Sequence, residues 1–221
     1  MNPFTETFLN RRRAITFALG TLGIWGSLRA FSSGPASEPR AAQIGKPAPA
    51  FRIPDSEARP RQLSDLAGKT VVLEWTSPSC PFVRAQYQSG VMQELQRMAT
   101  GAGVVWFSVL STHPSRRDYL PAGKAADLHR KRGAASTALL MDAEGTLGRA
   151  YGAIVTPHIF IVDSGGNLAY AGGAGDKATM DPKEVQTSRN FIREALDNLA
   201  AGRKVATPTS SPFGCTIAYR G

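Results

Sequence analysis

Val71-Val72-Leu73-Glu74-Trp75-Thr76-Ser77-Pro78-Ser79-Cys80-Pro81-Phe82-Val83-Arg84 is the stretch on which the fold turns. Its first five residues are a short apolar run rich in β-branched and aromatic side chains, the pattern of a buried strand. A small polar residue and a cysteine follow, and then Pro81, which suits the first turn of a helix because its missing N–H is not needed there. Val83, Tyr87, Val91, Leu95 and Met98 continue the reading as an apolar stripe at helical spacing, stopped by Gly101-Ala102-Gly103. Cys80 therefore falls where a strand hands over to a helix N-terminus. There the partial positive charge and free N–H groups favour a thiolate, the form of cysteine that attacks disulfides and peroxides. A buried cysteine acting as a small apolar filler is the bland alternative.

Outward from this point, strand and helix signals alternate. Upstream, Phe51 to Ile53 and Gln62-Leu63 frame a short hairpin. Downstream, Val104 to Leu110 reads as a densely apolar mid-sheet strand, and Ser111 to Tyr119 as a loop. Lys124 to Arg132 forms a short helix, Ala138 to Met141 a strand, and Leu147 to Tyr151 a helical turn. Ile159 to Asp163 and Asn167 to Tyr170 flank Ser164-Gly165-Gly166, a hairpin signal. One last helix is expected over about Pro182 to Ala201. Such alternation implies a parallel-centred sheet with helices on its faces, made mixed by the final hairpin. Residues 203–221 form a tail without periodicity that carries Cys215. The expected organisation is a leader over 1–42, a domain over 43–202 and the tail.

The chain has 221 residues, 42% of them hydrophobic, enough for a proper core, and a net charge of +9. The first 40 residues hold five Arg against two Glu, and the remaining excess is scattered without interleaved aromatics, so no nucleic-acid surface is expected. His129-Arg130-Lys131-Arg132 reads as a solvated helix face. Arg11-Arg12-Arg13 precedes an apolar run, Ala14 to Trp25, and then a small-residue segment, the three parts of an export signal. Arg12-Arg13-Ala14-Ile15-Thr16 is similar to a twin-arginine signal, and cleavage after Ala30, Ala36 or Ala42 is open. Membrane contact is expected only if this segment stays uncleaved. Two cysteines and three dispersed histidines make no metal cluster, and no metal or organic cofactor is called for.

The Val71–Arg84 segment resembles the active-site strand and helix of the thioredoxin superfamily, and Thr156-Pro157 before the strand Ile159 to Val162 resembles its cis-proline loop. The resemblance covers about residues 44–202. Cys80 to Val83, Tyr151 to His158 and Gly214-Cys215 bring the chain nearest to the peroxiredoxin-like branch of the thiol-specific-antioxidant group. It departs in two ways. Val83 occupies the second cysteine position of a Cys-x-x-Cys, so the short dithiol cycle is impossible. Ser77 matches the Thr/Ser of peroxiredoxins three residues before the cysteine, but Leu73 replaces their proline, and no arginine can be assigned.

The resemblance implies an α/β thioredoxin-like fold with a central mixed sheet flanked by helices, and an exported thiol oxidoreductase. Cys80 would react with a peroxide or a protein disulfide, and a thiol reductant protein would supply electrons. Cys215 is the candidate resolving thiol, and Ser77, Thr156 and Pro157 would shape the site. The alternative is a redox-inert binding module with a structural Cys80–Cys215 disulfide. His158 is read as a strand-start histidine, and Trp75 and Trp106 as core residues.

Overall fold

The structure, a computed structural model, describes residues 41–220. A small hairpin, β1 (Arg52–Pro54) and β2 (Pro60–Gln62), leads through a 3-10 turn into β3 (Val71–Trp75). Then come α1 (Pro81–Gln88), α2 (Val91–Gly101), β4 (Val105–Leu110), α3 (Ala122–Lys131), β5 (Ala138–Met141) and α4 (Thr146–Tyr151). The chain closes with β6 (Val155–Thr156), β7 (His158–Val162), β8 (Leu168–Gly172), α5 (Pro182–Gln186), α6 (Phe191–Ala200) and β9 (Cys215–Thr216).

The central sheet runs β5-β4-β3-β7-β8, with β3, β4 and β5 parallel and β7 and β8 antiparallel additions. It is the mixed α/β sheet flanked by helices that the alternation implied. Every residue of β3 and β4 is buried, as expected of strands covered on both faces. Period-two alternation divides β3 between two cores. Val72 packs with Val83, Tyr87, Met92, Leu95 and Ile192 under α1, α2 and α6, whereas Val71, Leu73 and Trp75 pack with Leu147, Tyr151 and Phe160 beneath α4. Each of the larger side chains buried here stabilises the fold by roughly 1.5–3 kcal/mol relative to exposure.

Two helices expected to be continuous are broken. The stripe from Val83 to Met98 belongs to α1 and α2, separated at Ser89-Gly90, where Gly90 adopts φ 81°. At the break the Tyr87 carbonyl accepts from the Gly90 amide at 3.2 Å and from the Gln93 side-chain amide at 2.8 Å. The restart shifts the phase, so Met92 rather than Val91 becomes the fully buried residue. The C-terminal helix likewise splits into α5 and α6, each capped by its own side chain: Asp181 accepts from the Lys183 amide and Asn190 from the Arg193 amide. Apolar spacing alone does not register the first break, because α1 and α2 pack into the same core.

The expected export signal lies outside the described residues but for Ala41 and Ala42. No helix among the described residues is long and apolar enough to cross a membrane.

Candidate active site

Cys80 is the N-cap of α1, in extended backbone geometry with Pro81 in the first turn. The side chain ends up 1% exposed, against the loop before β7. Its thiol donates to the Thr156 carbonyl at 3.0 Å, and the Thr156–Pro157 peptide is cis. The Thr156 hydroxyl is buried with no hydrogen-bond partner of its own, next to the sulfur.

The C-terminal tail completes the site. After α6 it crosses β8, where Ser210 pairs with the Tyr170 hydroxyl at 2.7 Å and accepts from the Gly173 amide at 2.9 Å. Phe213 packs against Phe82 of α1, ring centroids 6.0 Å apart. The tail then forms β9, antiparallel to β6, with Cys215 opposite Thr156. This close approach requires the glycine before the cysteine. Gly214 has φ 138°, and a Cβ there would lie 1.9 Å from the Thr156 carbonyl oxygen. Cys215 is thus packed against the apolar cluster that contains Cys80, both as free thiols.

The two thiols are inequivalent. Burial pushes the Cys80 thiol up, but the Cys215 thiol, Thr156 and the backbone amides of Val83 and Cys215 outweigh it and hold Cys80 below its ordinary value. Cys215 is pushed up to about 12 by burial and by the Cys80 anion beside it. Such a pair suits an attacking thiolate with a protonated partner held ready.

Arg132, consigned by sequence to a solvated charge run, points inward instead. From the C-cap of α3 it donates to the Pro78 carbonyl at 2.7 Å and the Ser77 carbonyl at 3.2 Å, and lies 5.8 Å from the centre of the Tyr87 ring. It ties down the loop that delivers Cys80, and its charge and the Cys80 anion favour one another. Tyr87 in turn donates to Glu74, which also accepts from Gln96, Trp106 and Ser108. Trp106 is a core residue, as read, but it also holds this carboxylate.

Ser77 does not contact Cys80. With Thr76, Thr156, Asp118 and Cys215 it lines a cavity of about 40 Å³ beneath the tail, room for about three waters. The Thr76 hydroxyl is also buried without a partner. Pro157 follows Thr156 across the cis bond, next to the carbonyl that accepts from Cys80. His158 faces away, accepting from the Ile154 amide and packing on Phe160.

The family model described as AhpC/TSA matches residues 44–171, more than half of the chain. The chain belongs to the AhpC/TSA family. It is an oxidoreductase of the thioredoxin superfamily, in that family's redoxin group. Among solved structures it is similar to a hypothetical protein from Sinorhizobium meliloti, 21% identical with a TM-score of 0.69 over 82% of this chain and 97% of that one. An uncharacterized conserved protein from Geobacillus kaustophilus is 22% identical, with a TM-score of 0.68 over 80% and 93% of the two chains. A candidate protein disulfide isomerase from Bacteroides thetaiotaomicron is 16% identical, with a TM-score of 0.54 over 73% and 92%. At these identities the likeness is one of fold. No curated protein matches the sequence.

Proposed function

We propose that this AhpC/TSA protein is an extracytoplasmic two-cysteine oxidoreductase in which Cys80 attacks and Cys215 resolves. The observation that carries the reading is the β6–β9 pairing, which sets Cys215 opposite Thr156 and beside Cys80. With a peroxide, the Cys80 thiolate displaces the distal oxygen's leaving group, giving an alcohol or water and a Cys80 sulfenic acid. Cys215 then attacks that sulfur, releasing water and leaving a Cys80–Cys215 disulfide. A thiol reductant protein returns the pair to the dithiol. With a protein disulfide, Cys80 forms a mixed disulfide that Cys215 resolves, expelling the substrate's second thiol. Cys80 is 1% exposed and does not line the cavity beside Ser77, Thr156 and Cys215, so either substrate reaches its sulfur only after the tail lifts. Export rests on the arginine-led apolar run of the first 42 residues.

Peptide mapping after one equivalent of hydrogen peroxide tests the pairing. A Cys80–Cys215 linkage within one chain is expected, and Cys215→Ser is expected to accumulate oxidised Cys80 instead. A linkage found only between chains, or none, removes Cys215 from the resolving role. A potential below about −300 mV would make the bond structural rather than cycling.

A further inference from the structure

Beyond Cys215 the tail does not trail off. The Ile217 amide donates to the Ile154 carbonyl at 3.0 Å, and the Ala218 carbonyl accepts from the His113 amide at 3.1 Å. Tyr219 then drops into a notch on α4. Its hydroxyl donates to the Ala153 carbonyl at 2.8 Å, and the Arg149 guanidinium lies 4.9 Å from the centre of its ring. The notch exists because α4 has no side chain at Gly148. A Cβ there would lie 2.0 Å from the Tyr219 hydroxyl oxygen and 2.8 Å from the ring. Arg149 closes the end by donating to the Arg220 carbonyl at 3.0 Å. Gly148 lies inside a helix, where glycine costs about 1 kcal/mol relative to alanine. Local helix propensity argues against it, and the seat for the ring accounts for it.

Cys215 therefore hangs between two anchors: Ser210 and Phe213 before it, Tyr219 after it. Backbone pairing over the two residues of β9 is short for holding a thiol in place unaided. We propose that Tyr219, seated against Gly148, is a positioning residue that holds Cys215 over Cys80 and so sets the stability of their disulfide. This rests on the pairing proposed above. The reaction it governs is exchange with oxidised glutathione. Cys80 opens the glutathione disulfide, releasing one reduced glutathione and forming a mixed disulfide. Cys215 then displaces the second, so the two protein thiols lose two electrons and two protons while one oxidised glutathione becomes two reduced.

The test equilibrates the full chain in glutathione buffers and reads the ratio of disulfide to dithiol. Tyr219→Ala is expected to shift the equilibrium about tenfold toward the dithiol, a potential about 30 mV less negative. Tyr219→Phe keeps the ring in the notch and should stay within threefold of the parent. Gly148→Ala should reproduce the Tyr219→Ala shift by expelling the ring while leaving the tail's own sequence intact, although alanine favours the helix. Cys80 thiolate absorbance, titrated in a Cys215→Ser background, should move to a higher midpoint with Tyr219→Ala and stay in place with Tyr219→Phe, because residue 215 reaches Cys80 only while the ring holds it there. An equilibrium within twofold of the parent in either Tyr219→Ala or Gly148→Ala overturns the proposal, as does a Cys80 midpoint that Tyr219→Ala leaves unchanged. If the parent forms no intramolecular disulfide at any glutathione ratio, the Cys80–Cys215 pairing itself falls.

Discussion

At the scale of single residues, the candidate site sets two chemically identical thiols in unlike surroundings. Cys80 gathers groups that favour its anion: a helix N-terminus, the Thr156 hydroxyl and the Cys215 thiol. Cys215 gains a proton's hold from the same contact, because losing it would place two anions side by side. Ultraviolet titration of the thiolate is therefore expected to show one group ionising below the free-cysteine value of about 8.5. Cys215→Ser keeps a donor and should retain that low midpoint. Cys215→Ala removes the donor and should raise the midpoint toward, or past, the free value. Equal midpoints in the two variants would mean that the contact does not act on Cys80.

Among the elements, β3 carries the heaviest load, because it delivers Cys80 and also buries a carboxylate. Glu74 is completely enclosed, and burial raises its affinity for a proton. Four donors reach it from α1, α2 and β4, so it pins both helices of the broken pair to the strand that precedes the cysteine. Glu74→Leu would bury similar volume but orphan the Trp106, Tyr87 and Ser108 donors and leave the Gln96 amide only the Tyr87 hydroxyl. The expected cost is about 3 kcal/mol or more by urea unfolding, since unpaired buried groups carry their full desolvation penalty. A loss under about 1 kcal/mol would show that these donors find other partners. Chain-local signals do not reveal this role, because Glu74 sits in an apolar run with its partners on three other elements.

For the molecule as a whole, pH reaches stability through two histidines, the buried His158 and the half-buried His129. Burial holds His158, and burial together with the Arg132 charge holds His129, down at about 4 in the folded protein, against an ordinary value near 6.5. Below pH 6.5 the unfolded chain takes up protons that the folded chain refuses until about pH 4. The stability each histidine carries is thus complete above pH 6.5 and falls as pH drops from 6.5 to 4, by up to about 3 kcal/mol each. Glu74 and Asp142, both raised by burial, act oppositely, losing stability as pH rises through their folded values. His129→Gln retains an amide for Ser136 and should remove up to one proton from the stability slope between pH 4 and 6.5. An unchanged slope in denaturant melts across that window would show that His129 titrates freely in the fold.

What the sequence alone determined is whatever short-range pattern can encode. The strand–cysteine–proline transition at 71–84, the alternation of strands and helices and the proline after Thr156 all lie within a few residues, so periodicity and turn chemistry reveal them. The family and the sheet follow from that layer. Only the tertiary structure decided the rest, because it depends on contacts between distant segments. Gly214 is an ordinary loop glycine until the Thr156 carbonyl is found against it. Arg132 is one charge in a basic run until the end of α3 turns it toward the Cys80 loop. Tyr219 is the near-terminal residue of an aperiodic tail until a side-chain-free position on α4 receives it. Strand pairing of β9 with β6 brings Cys215 to Cys80, a placement set by long-range backbone hydrogen bonds that no local pattern records.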